Sequence, residues 1–247
     1  MRRLRDVFYI NGFPENNEIV YYGMEFKEFY KFSPMKLNNI LLLKSEYNGS
    51  RDSAKWNMTM VSEDEIDNLL SEDIYSYGNF CWVDYANDDC IEHMQPQEVA
   101  ELLYLGHMFS PLKSPFIESI KNRYAYLAHD DGWFCRLYCQ RYSDFSEIIA
   151  NKVIDSVSTS RRKIFPMNEE LKHQLLSLAS DGLLIDFDNI LKVHKSIEIP
   201  IYQIGKFIDM DKMYNDKKVH IAHAKYSAKL VYSNKNWKID YIITRCQ

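Results

Sequence analysis

Four groups of residues carry types that can do chemistry. His129-Asp130-Asp131 sets an imidazole beside two carboxylates, the material of a general base or a metal site. Asp131-Gly132 also has the form of a tight hairpin turn, and Asp130 is a favoured turn residue, so the turn reading takes precedence. Asp84, Asp88 and Asp89, with Glu92 and His93 nearby, offer the hard oxygens a divalent cation prefers. The ligand order and central Gly of an EF-hand are missing, and a solvated acidic loop is the plainer reading. His107 follows Tyr104 near the end of an expected helix, where the dipole alone favours a His. His220 and His223 are three apart. They would share a face on a helix but point apart on a strand, and the surrounding β-prone residues favour a strand.

The catalytic candidates are therefore His107, His129, Asp130 and Asp131, and the metal candidates Asp84, Asp88 and Asp89. No Gly-rich phosphate loop, nucleophile elbow, kinase motif set or zincin motif is present, and no cofactor is named by the residues. The five Cys are odd in number and scattered. Cys135 and Cys139 on one strand would lie about 13 Å apart, too far for a disulfide or a shared metal. They are expected to be core thiols.

The elements that must hold these residues are marked by caps and turns. Val7–Ile10 and Ile19–Tyr22 read as two strands around the turn-rich 11–17. Ser33-Pro34 has the form of a helix start, and 37–43 fits a helix or a buried strand equally. Ser62 and Glu65 form a capping box before a helix that runs to about Leu70. Pro96 opens the most regular helical pattern, with Val99, Leu102 and Leu103 at helical spacing. Residues 123–140 read as a hairpin. Ser143 begins another helix. Asn168 caps the next one, and Gly182 ends it. A second hairpin is expected over 219–243, turning at Ser233-Asn234-Lys235-Asn236.

The fold class expected is α+β: antiparallel hairpins at about 123–140 and 219–243 with several amphipathic helices. The Ser/Thr-rich, basic stretch 156–166 reads as a linker or mobile loop. It would divide an N-terminal lobe, 1–155, from a smaller C-terminal lobe, 168–247, packed on the first, with one domain as the alternative.

Length and composition are those of a globular protein: 247 residues, 46% hydrophobic and 26% charged. The net charge of -5 argues against a nucleic-acid partner. No apolar run approaches the roughly 20 residues of a membrane span, so no membrane partner and a cytoplasmic location are expected. Eighteen Tyr suit a recognition surface. The reading favoured is a non-enzymatic binding or regulatory protein with a protein partner or a homodimer. The alternative is a small-molecule or metal-assisted hydrolytic enzyme with a His/Asp pocket.

Overall fold

The structure is a computed structural model that describes residues 6–43, 51–53, 58–72, 74, 79–129, 134–159, 164–193, 196–207 and 209–241. The N-terminal elements are β1 (Val7–Phe13), β2 (Glu18–Tyr22), α1 (Phe26–Phe32), β3 (Asn39–Leu42), β4 (Arg51–Ser53), β5 (Met58–Val61) and α2 (Ile66–Ser71). The middle contains β6 (Phe80–Tyr85), α3 (Asp88–Glu92), α4 (Pro96–Leu105), β7 (Tyr124–Ala128), β8 (Phe134–Cys139) and α5 (Asp144–Val157). The chain continues through α6 (Glu169–Ala179), β9 (Leu183–Asp186), β10 (Leu191–Val193) and β11 (Ser196–Gln203). It ends with α7 (Met210–Asn215), α8 (Lys217–Ala222), β12 (Tyr226–Ser233) and β13 (Asn236–Tyr241).

All the strands join one antiparallel sheet, in the order β13-β12-β11-β9-β1-β2-β8-β7-β6-β3-β5-β4, with β10 beside β11. This is a mixed α+β protein. The first strand sits mid-sheet, bonded to β2 on one side and to β9 on the other, so the sheet runs unbroken from the N-terminal to the C-terminal segment. The expected hairpins form: β7 pairs with β8 and β12 with β13. In the second, Asn234 and Lys235 both take positive φ, as a two-residue turn between twisted strands requires.

Burial explains which elements were ambiguous. Strands β1, β2, β6 and β7 are buried on both faces, and their sequences read as apolar runs without alternation. Strand β3 within 37–43 is one of these. Strand β11, covered on one face only, alternates strictly.

Three expectations are corrected. Ser33 ends α1 as its C-cap and starts no helix. The helix begins earlier, at a capping box made by Glu25 and Glu28, and buries Phe26, Phe29 and Phe32. Residues 11–13 belong to β1, since Asn11, Gly12 and Phe13 pair with Val20, Ile19 and Glu18. Residues 217–222 form α8 rather than the start of a strand, and β12 begins only at Tyr226. Tertiary packing overrides the β-prone composition there: the His220 ring packs on Phe207, centroids 4.4 Å apart, and Ile221 packs into a small apolar cluster.

Of the stretch 156–166, α5 takes the start, Ile164 is buried, and the backbone of Phe165 is fastened to Tyr232 and Trp237. The capping box at Ser62 and Glu65 forms, Asn168 caps α6, and Gly182 takes φ +79° after it. Gly23 needs its lack of side chain most: at φ +100°, a Cβ there would lie 2.1 Å from the Val7 carbonyl oxygen.

The sheet is packed differently on its two faces. One face carries a single apolar cluster beneath α1, α2, α5 and α6. The other carries two separate clusters. One lies beneath α3, α4 and the segment to Ile120. The second lies beneath α7 and α8, over β1, β2 and β9.

Candidate functional site

Between those two caps, no helix among the described residues lies over the middle of the sheet. The side chains that face the gap come from β1, β2 and β8, whose register sets them in a row. Asn11 lies opposite Val20, and Val20 opposite Arg136. One step along, Phe13 lies opposite Glu18 and Glu18 opposite Tyr138. The floor is polar although it is buried: Asn11 is 3% and Glu18 8% exposed.

The charges are paired within this floor. Arg136 Nε lies 3.2 Å from Glu18 Oε1, and its Nη1 donates to Ser110 Oγ at 3.1 Å. Burial pushes the Glu18 carboxyl above the usual carboxylate range, and the Arg136 charge only partly offsets this. Burial also raises the Tyr138 hydroxyl. Among the described residues, Asn11 Oδ1 has no hydrogen-bond partner. At the far side, Lys206 Nζ stands 4.3 Å from the Phe13 ring centre and donates to the Gly12 carbonyl.

A cleft of ≈ 440 Å³ opens next to this floor, between the 15–18 turn and the 110–116 segment. Glu15, Glu18, Ser110, Lys113, Ser114 and Tyr138 line it. Beside it stands an apolar ledge. Leu103 and Tyr104 on the outer side of α4, with Phe109 and Leu112 after it, are 38%, 36%, 50% and 61% exposed. Tyr104 and Phe109 stack with ring centres 4.6 Å apart. Lys113 pairs with Glu101 at the base of the ledge. The N-terminus of α4 is fixed by Gln95 and Glu98, and Glu98 also accepts from Ser119 Oγ at 2.5 Å. This holds the N-terminus of α4 against the turn at Ser119.

The candidates read from the sequence lie elsewhere. Asp84 is buried and fully engaged. It accepts from the backbone amides of Arg123 and Tyr124, each at 2.7 Å, and from Arg123 Nε at 2.9 Å. It orders the start of β7. Asp88 and Asp89 are exposed in the first turn of α3, where negative charge suits the helix dipole. They line a second cleft, of ≈ 560 Å³, with Asp64, Glu65, Ser62 and Asn39. Asp84 is not in that lining, so the three carboxylates are not brought together. Among the described residues no group of three or more His, Cys, Asp or Glu is disposed to hold a metal ion.

His129 is exposed just after β7, and its ring packs against Phe134 at 4.8 Å. His107 is exposed in the turn after α4, its ring 6.3 Å from Phe109. Neither lines either cleft. Asp130 and Asp131 lie outside the described residues. His220 lies in α8 and His223 is the C-cap of that helix, so neither is on the strand expected from the sequence. His223 Nδ1 lies 2.9 Å from the Val219 carbonyl oxygen. Cys135 and Cys139 are buried free thiols, and burial pushes Cys135 up to about 12, which leaves it un-ionised and inert at neutral pH.

Sequence reasoning missed Asn11, Glu18 and Arg136, which are separated along the chain and meet only through the β1–β2–β8 ladder. A signal was present: Glu18 and Arg136 are single charges within otherwise apolar strands. Compared with protein-family models, curated proteins and solved structures, the chain finds no match. No helix among the described residues is long and apolar enough to cross a membrane.

Proposed function

We propose that the protein is a non-enzymatic binding protein that takes a protein partner on the ledge of Leu103, Tyr104, Phe109 and Leu112. The observation that carries this reading is the exposure of four large apolar side chains within ten residues of chain, two of them already stacked. Isolated exposed apolar residues are ordinary, but a grouped set with a polar rim marks a binding surface. Aromatic anchors held rigid before contact lose little side-chain entropy on binding. Here Tyr104 and Phe109 hold each other. The adjoining cleft supplies the polar rim, with Ser110, Ser114 and Lys113 as hydrogen-bonding groups.

The test is affinity capture from an extract of the protein's own cells, with the wild type and the double variant Phe109→Ser/Leu112→Ser as paired baits. The expected result is at least one protein that the wild type retains and the variant loses by about tenfold or more, the loss of roughly 1.4 kcal/mol of binding. Purified partner and bait must then reproduce that difference by calorimetry. Equal retention by two baits of equal melting temperature would overturn the reading.

A further inference from the structure

The sheet ends at β13, and among the described residues no strand lies on its outer side. Such an edge presents unpaired backbone groups and is a template for another strand. Which groups face outward follows from the turn before it. The two-residue turn at Asn234-Lys235 makes Ser233 and Asn236 a hydrogen-bonded pair. Pairs alternate from there, so Lys238 and Asp240 bond to Val231 and Lys229 on β12. The N–H and C=O groups of Trp237, Ile239 and Tyr241 therefore point away from β12, to the open edge.

The side chains of this edge are complementary to themselves. Lys238 and Asp240 lie on the sheet face opposite the main core, both exposed, and they flank Ile239 with opposite charges. Across the sheet the charges already alternate: Glu198 pairs with Lys229 at 2.7 Å, and Lys229 lies opposite Asp240. Along the edge strand Lys238 Nζ also donates to Asp240 Oδ2 at 3.2 Å, an exposed pair that a cation on the next strand outward would share. An edge carrying charge of one sign would repel its own copy, whereas this one does not.

We propose that the outer edge of β13 pairs with β13 of a second copy of the chain, antiparallel and centred on Ile239. In that register every outward backbone group finds a partner. The two Ile239 residues exchange bonds, and Trp237 exchanges bonds with the second copy's Tyr241, giving up to about six in all. Lys238 falls opposite the second copy's Asp240 at the non-hydrogen-bonded positions, where side chains come closest. The row Glu198, Lys229, Asp240 is thereby extended by a lysine. Tyr241, 61% exposed in the single chain, comes to lie beside the second copy's Trp237. The contact is small, so the dimer is weak and forms only at high concentration.

The experiment measures molar mass by sedimentation equilibrium from about 10 µM to about 1 mM, the range where a weak contact is read. It uses the full chain, the variant Lys238→Asp, the variant Asp240→Lys, and an equimolar mixture of the two variants. The wild type is expected to shift from monomer to dimer across the range. Each variant alone sets like charges opposite each other at both ends of the pairing and is expected to stay monomeric. In the mixture the opposed charges are again unlike, so mixed dimers are expected, at least about tenfold tighter than either variant alone. Mixing cannot repair a misfolded chain, so recovery in the mixture belongs to the contact itself. A wild type monomeric throughout, a dimer unchanged in either variant, or a mixture that stays monomeric would each overturn the proposal. The ledge of the preceding subsection is untouched by these substitutions, so the two proposals fail separately.

Discussion

The two faces of the sheet use the same strands differently. On one face, 44 buried residues among those described form a single cluster, and α1, α5 and α6 close over it with ion pairs between them. Lys152 on α5, only 3% exposed at its side chain, reaches Glu28 on α1 at 2.5 Å, and Lys172 on α6 pairs with Glu147 on α5. On the other face the apolar cover is broken, among the described residues, into two clusters of 16 and 7 buried residues, with Asn11, Glu18 and Arg136 in the gap. Continuous cover gives cohesion, because each side chain is packed from every direction. Broken cover leaves room for a cleft and forces polar groups to pair within it. The difference teaches where to look for function in this protein: at the seam, where the sequence gives up apolar burial.

The largest expected effect tests that contrast directly. Phe29 sits against Trp82, Tyr124 and Tyr126, with ring centres 5.4 to 5.9 Å away. Phe29→Ala should cost about 4 kcal/mol in urea unfolding, because its rigid aromatic neighbours cannot close the cavity. Met213, on the buried side of α7, packs into the smallest cluster. Met213→Ala should cost about 2 kcal/mol, the low end for such a truncation, since α7 and α8 can settle. Equal losses would mean that the two faces are equally cohesive, and the contrast would be lost.

A smaller effect concerns how α4 is held. Burial raises the Glu98 carboxyl, but the bonds it accepts from Ser119 Oγ, Gln95 N and Ser119 N outweigh that, so it titrates below the usual range. A lowered folded pKa adds stability that is complete above the unfolded value, about 4.3, and lost as pH falls through the folded one. Glu98→Gln should therefore cost about 1 kcal/mol at pH 7, the usual size of a lost cap. The gap between variant and wild type should close as the pH falls through the lowered folded value. A gap that persists in acid would show that shape rather than charge holds α4 to the 119 turn.

What was legible in the chain was local. The Ser62 box, the Asn168 cap, Gly182 and the Asn234-Lys235 turn each depend on groups within a few residues of one another, and the fold uses them as read. The errors at Ser33 and at 217–222 arose where a local form had two uses: Ser-Pro can follow a helix as well as start one, and a β-prone segment can coil when an aromatic ring such as Phe207 waits for it. The candidate site was not legible, because Glu18 and Arg136 are neighbours only in the sheet register. Local spacing pointed instead to Asp84, whose role is to hold Arg123 and the first amides of β7.

The smallest expected effect bears on whether the ledge belongs to the fold or to a partner. Phe109 and Leu112 lie in neither main face of the core, and half or more of each is exposed. A side chain that buries little on folding loses little when truncated, whereas one that buries on binding shows its cost only in the complex. The double variant Phe109→Ser/Leu112→Ser should therefore shift the unfolding free energy by no more than about 0.5 kcal/mol per site. A loss of several kcal/mol would make the ledge part of the packing over β7, and the broken face would then be more cohesive than its two clusters imply. A near-neutral result sharpens the contrast: those apolar side chains would contribute almost nothing to the stability of the single chain, so their contribution has to be sought in contact with another.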